Sequence, residues 1–175
     1  MKRKYELKAR AEQQAETRRR ITEATVALHE EVGPARTTVA EVARRAGVSR
    51  VTVYSNFPEE RELLAACQAH WMELHPLPAL DPSEPYEAVL RALYGWYSET
   101  ARMAENVRRD RLSVPALDDL LRDTADARMA ALAEALGGGA LVALGLDFWT
   151  WRRLAAEGLS DSEAASLMAR AATIG

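Results

Sequence analysis

The sequence predicts an all-α protein made of a three-helix unit with a helix-turn-helix, followed by a larger helical bundle. Three observations predict it. Apolar residues recur at i, i+3, i+4 and i+7 through most of the 175 residues, the period of a helix with one buried face. No run alternates apolar and polar residues long enough to make a strand. The periodic stretches are separated by stops and caps: Gly33-Pro34, Gly47, the breaker-rich HPLPALDPSEP and the glycines at 137–139.

Residues 1–16 mix charges without an apolar period and are expected to form a flexible arm, disordered or frayed into helix. Lys2, Arg3 and Lys4 could reach a groove or phosphates from there, although a solvated tail is the commoner fate of such a run. From about Thr17 the first helix carries Ile21, Ala24, Thr25, Leu28 and Val32 on one face and ends at Gly33-Pro34. Arg18, Arg19 and Arg20 stand at its expected start, where they oppose the helix dipole and so point to a phosphate partner.

Thr38 followed by Glu41 is a capping box, so a second helix starts at Val39 and buries Val39, Val42, Ala43 and Ala46. Gly47 stops it in a left-handed conformation, and Ser49 caps a third helix after a tight turn. That is the spacing of a helix-turn-helix, whose second member enters the major groove of DNA. At about 100° per residue, Val53 and Phe57 face the core with Val48, while Val51 and Ser55 point away. Arg50 and Tyr54 flank these two on one side, Thr52 and Asn56 on the other. An exposed valine among short polar groups suits a groove floor, where a thymine methyl takes an apolar partner. The competing reading is an ordinary amphipathic helix with one stray valine. The residues expected at DNA are Thr38, Ser49, Arg50, Val51, Thr52, Tyr54, Ser55 and Asn56.

The formal net charge of −3 hides an asymmetry: residues 1–57 hold twelve Lys+Arg against seven Asp+Glu, and residues 58–175 hold eleven against nineteen. A basic amino-terminal unit can neutralise phosphates, whereas an acidic remainder is repelled by a duplex. The single cysteine, Cys67, excludes an internal disulfide and fits a reducing cytoplasm. No segment approaches the roughly 20 apolar residues of a membrane span. His29, His70 and His75 lack the Glu-x-x-His spacing of di-iron bundles, there is no cysteine pair for zinc, and no Gly-rich loop follows a strand. Neither a cofactor nor a metal is expected, and no catalytic constellation stands out.

Beyond the third helix, a fourth runs from Pro58 to about Leu74 with Leu63, Leu64, Cys67, Trp71 and Leu74 inward. Asp81-Pro82-x-Glu84 signals the start of a long helix marked by Tyr86, Val89, Leu90, Leu93, Tyr94, Trp96, Tyr97 and Met103, ending near Arg108-Arg109-Asp110. So broad an aromatic face is plain core or the lining of a ligand cavity, and both can hold. A further helix from Ser113-Val114-Pro115 buries Leu117, Leu120, Leu121, Ala125, Met129, Leu132 and Leu136. Residues 140–151, ALVALGLDFWTW, are apolar almost all round and need cover on every side, for which a second subunit is the natural source. Ser160 with Glu163 caps a last helix carrying Ala164, Leu167, Met168, Ala171 and Ile174.

The run ITEATVALHEEVGPARTTVAEVARRAGVSRVTVYSNFPEERELL resembles the amino-terminal domain of TetR-type transcriptional repressors over about residues 17–66. Thr37-Thr38, the Ala46-Gly47-Val48-Ser49 turn, Thr52, Tyr54, Phe57-Pro58 and Leu63 carry the likeness. It implies a homodimer that reads a palindromic operator on double-stranded DNA with its paired third helices and leaves when a small effector binds the carboxy-terminal domain. It also implies phosphate contacts from Thr38, Tyr54 and Thr52 and base-edge contacts from Arg50 and Val51. The last two helices resemble the family's dimer-forming pair. Two departures stand out: Asn56 stands where the family commonly has histidine and less often asparagine, and Glu59-Glu60-Arg61 replaces Ser-Lys-Glu, so that either DNA binding is weaker or Arg61 takes over the phosphate contact of the missing lysine.

The resulting expectation is an arm over 1–16, a DNA-binding domain over 17–57 and a ligand-binding and dimerisation domain over 58–175. Its effector would be small and mostly apolar, held by Trp71, Trp96, Tyr97, Met103 and Met129. Its dimer interface would use Leu141, Leu144, Phe148, Trp151, Leu167 and Met168. The alternatives are a helix-turn-helix regulator that senses no small molecule and, further off, a helical enzyme or carrier.

Overall fold

The structure is a computed structural model that describes residues 2–173, with side chains from Arg10 onward. Ile174 and the side chains of Lys2, Arg3 and Lys4 therefore lie outside the described residues. Among the described residues there is no strand. The helices are α1 (Lys2–Val32), α2 (Val39–Ala46), α3 (Arg50–Asn56), α4 (Glu60–Leu74), α5 (Tyr86–Asp110), α6 (Pro115–Leu121), α7 (Ala127–Ala135), α8 (Ala140–Leu146), α9 (Phe148–Ala156) and α10 (Asp161–Ala172). A π-helical segment, Arg122–Asp126, joins α6 to α7.

The chain forms two compact units, Met1–Leu74 with Glu105–Leu120, and His75–Ala104 with Leu121–Gly175. In the first, Ile21, Ala24, Leu28, Val42, Ala43, Ala46, Val53 and Phe57 make one buried cluster, with Val39, Val48, Leu63 and Ala66 against it. These are the positions at which the helical period places apolar residues, so the core follows directly from the pattern.

The carboxyl end of α1 is secured by the last turns of α5. Asn106 Nδ2 donates to the carbonyls of His29 and Glu30 at 3.0 and 2.8 Å, and the Ala35 N–H donates to Asp110 Oδ2 at 3.1 Å. Helix-terminal carbonyls that would lack a partner are thus satisfied. Burial opposes ionisation of Asp110, but Arg109 and the Ala35 N–H outweigh it and hold the carboxyl below its ordinary range.

Helix α1 begins at Lys2, not near Thr17. The arm is therefore helical, one of the two forms its composition allowed. Arg18, Arg19 and Arg20 then lie in mid-helix, and the dipole argument for a phosphate beside them loses its premise. Arg19 instead bonds Glu16 and Glu23 along the same helix.

In the second unit three tyrosines of α5 hold α8. The hydroxyls of Tyr86, Tyr94 and Tyr97 donate to the carbonyls of Val142, Gly145 and Leu146 at 2.9, 2.7 and 2.8 Å. Gly145 is required by this approach, because a Cβ there would run into the Tyr86 hydroxyl. Tyr97 packs edge-on against Phe148 with ring centroids 5.3 Å apart, and Trp151 lies 5.6 Å from it.

Candidate nucleic-acid interface

Helices α2 and α3 are placed by their caps. The Thr38 hydroxyl accepts the Glu41 N–H at 3.2 Å. The return half of the expected capping box is replaced, because the Glu41 carboxylate bonds Arg44, which holds it below its ordinary pKa. Gly47 sits at φ 65, ψ 39, and its N–H closes the end of α2. Ser49 Oγ accepts the Thr52 N–H at 3.0 Å to start α3. Val53 and Phe57 are buried and anchor the inner face of α3.

A contact that sequence reasoning missed fixes the far end of α3. The Arg18 guanidinium donates to the Asn56 carbonyl and lies 4.0 Å above the Phe57 ring. An arginine serving a helix carboxyl end and an aromatic face at once combines charge–dipole and cation–π attraction. Only its distance in sequence from Asn56 hid it.

The outer face of α3 is open. Val51 is 75% exposed and Tyr54 57%, with Arg50 and Ser55 exposed beside them and Thr52 half-buried. Thr38 and Ser49 are also exposed. Arg44 and Arg45 are engaged by Glu41 and Glu31, whereas no described residue pairs with Arg50. Seven of the eight expected DNA residues are therefore exposed or half-buried.

Asn56 is the exception. It is buried, its amide donates to the Thr52 carbonyl at 2.8 Å, and its Oδ1 meets no partner. The helical angle that put Asn56 beside Val51 took no account of α1, which packs against α3 and whose Arg18 bonds the Asn56 carbonyl.

The residues expected around a ligand divide between the units. Trp71 belongs to the first; Trp96, Tyr97, Met103 and Met129 belong to the second. Trp96 and Tyr97 have ring centroids 5.8 Å apart, and Trp96 Nε1 donates to the His75 carbonyl. Tyr97 and Met103 are buried, while Trp96 and Met129 are half-buried.

The expected dimer residues also separate. The stretch 140–151 is not one helix: Asp147 interrupts it and caps α9 by accepting the Thr150 N–H at 2.9 Å. The break turns Phe148 and Trp151 into the unit's own aromatic core, and Met168 joins that core. Leu144 and Leu167 remain exposed, Leu141 is half-buried, and Trp149, which the sequence reading passed over, is 45% exposed. Asp147 with Thr150 was the available signal for the break.

Residues 21–67 match the family model described as bacterial regulatory proteins, tetR family. Residues 21–67 thus carry a TetR-type amino-terminal domain. Over 52 residues it is 46% identical to uncharacterised HTH-type transcriptional regulators of Mycobacterium tuberculosis and Mycobacterium bovis, a region covering 30% of this chain and 28% of theirs. The match thus spans little more than a quarter of those relatives. The fold resembles crystal structures of a TetR-like and a TetR transcriptional regulator from Rhodococcus sp. RHA1. For the first the TM-score is 0.58 at 20% identity, covering 87% of this chain and 91% of that one. For the second it is 0.51 at 24%, covering 93% and 96%. The all-α expectation and the TetR-type amino-terminal domain therefore both hold.

Proposed function

We propose that the chain is a sequence-specific DNA-binding transcriptional regulator, working in the cytoplasm as a homodimeric repressor that a small, mostly apolar ligand releases from a palindromic operator. The open face of α3 carries this reading. A helix capped at Ser49, tied down by Arg18 and anchored by Val53 and Phe57 spends nothing internal on Arg50, Val51 or Tyr54. In this reading Val51 takes a thymine methyl, Arg50 a base edge, and Thr38 and Tyr54 phosphates. Homodimerisation draws on the exposed Leu144, Trp149 and Leu167, and two-fold symmetry would set the paired α3 helices about 34–36 Å apart.

Selection of sites from random duplex DNA, followed by salt titration of the winner, tests the reading. A palindrome bound well above background, with affinity falling steeply as salt rises, is the expected result. Failure of any sequence to enrich overturns it.

One observation favours a regulator without small-molecule sensing. Tyr97 and Met103 are closed into the bundle, and the Tyr97 hydroxyl is spent on Leu146, so two of the five expected ligand residues offer no free surface. A screen of small apolar compounds for a rise in Tm decides between the two forms.

A further inference from the structure

A pocket of about 240 Å³, partly open to solvent, lies in the first unit with Val53 and Tyr54 of α3 in its lining. Its lining is mainly apolar, with Val42, Val53, Phe57 and Leu64 among the walls, and Thr38 and Tyr54 at the side of the expected DNA contacts. For scale, a dry apolar cavity of roughly 150 Å³ in a protein interior takes up benzene.

One polar group in this lining is unexplained. His29 is 6% exposed, lines the cavity, and none of the described residues hydrogen-bonds its imidazole. Its backbone carbonyl, by contrast, is fully used by Gly33 and Asn106. Burial keeps the ring neutral at physiological pH, pushing its pKa down to about 4 against the pull of Asp110. A neutral imidazole offers one N–H donor and one nitrogen acceptor. An imidazole that lines the pocket and meets no protein partner leaves its donor and its acceptor available to a guest.

We propose that this cavity binds a small uncharged ring compound bearing one hydroxyl, with the hydroxyl on the His29 imidazole and the ring against Val42, Val53 and Phe57, and that its occupancy shifts α3. The size follows from the volume and the hydroxyl from the single imidazole. The lack of charge follows from Glu60 in the lining and Asp110 near His29, both of which repel an anion, while an apolar wall disfavours a cation. This site is separate from the effector site sought in the bundle. Binding to it stands without the DNA reading, and only its effect on α3 rests on that reading.

The test uses the full-length protein, isotope-labelled, titrated with phenol and separately with toluene and followed by NMR. Phenol is expected to shift the His29 ring resonances and amides within 25–42 and 53–64. In His29→Leu, phenol affinity is expected to fall about tenfold relative to toluene, the usual worth of one buried hydrogen bond. No shift at these residues in wild type, or shifts confined to 86–104, overturns the site and needs no variant. Equal phenol affinity in wild type and His29→Leu overturns the role of the imidazole. Affinity for a selected operator is then measured with and without saturating phenol. A changed affinity supports the link to α3, and an unchanged one removes it. If no operator is bound in either state while the His29 shifts persist, the DNA reading fails and the site stands.

Discussion

Tyr54 on α3 and Tyr97 on α5 are the same side chain put to opposite uses. Tyr54 stands 57% exposed, and Tyr97 is 2% exposed with its hydroxyl bonded to the Leu146 carbonyl. The surroundings of these two tyrosines repeat the contrast. The first unit buries only the inner face of α3 and leaves Arg50, Val51 and Tyr54 unspent. The second turns Tyr94, Tyr97, Phe148 and Trp151 into one another and bonds the tyrosine hydroxyls internally, with Trp149 left exposed. Stability should therefore respond to changes in the second set, and recognition to changes in the first.

The largest effect expected from this contrast is at Phe148, which is 1% exposed and touches Tyr97 and Trp151. Phe148→Ala should cost roughly 3–5 kcal/mol through lost transfer energy and a residual cavity, read as a fall in the denaturant midpoint. If that fall is under about 1 kcal/mol, the aromatic cluster is not the core described above.

Next is acid sensitivity in the first unit. His29 titrates near 4 in the folded protein against an ordinary value of 6.5, so the unfolded chain takes up the proton more readily. This contribution is complete above about pH 6.5 and is lost as pH falls toward 4. Between about pH 7 and 4.5 wild type should lose roughly 2–3 kcal/mol more than His29→Leu, measured by urea melts at each pH. Parallel pH profiles for the two proteins would place His29 in water.

The tyrosine pair itself gives a reciprocal test. Tyr97→Phe should cost about 1–3 kcal/mol of stability by leaving the Leu146 carbonyl unpaired, with DNA affinity little changed. Tyr54→Phe should leave the melting curve within about 0.5 kcal/mol of wild type and weaken binding to all DNA sequences alike. Were both variants to act on the same observable, the division of labour would be wrong.

A smaller effect is expected at the cap of α3, where Ser49→Ala should cost about 1 kcal/mol. The smallest on stability is Val51→Ala, within about 0.5 kcal/mol. That variant should instead relax base preference at one position per half-site, seen by repeating the site selection. Unaltered preference would remove Val51 from the groove floor.

The shape of α2 and α3 was largely legible because its signals are local. Thr38, Gly47 and Ser49 each act within four residues of themselves, so reading them needed no knowledge of the rest of the chain. The bundle was less legible. Asp147 is also a local signal, but an almost uninterrupted apolar run masked it, and with it the inward turn of Phe148 and Trp151. Arg18 and Asn56 could not be placed from spacing, because their shared contact joins residues from different helices.

By itself the sequence determined the helical class, the two caps and the left-handed stop that shape α2 and α3, and which side of α3 faces the core. All of these follow from backbone hydrogen bonding and a 3.6-residue period, which act over one or two turns. Only the tertiary structure decided that Asn56 is buried, that three tyrosines of α5 bind the carbonyls of α8, and that His29 lies unpaired beside a cavity. Those outcomes depend on how side chains from distant segments fill a shared volume, and close packing of that kind is a property of the folded chain that no local period encodes.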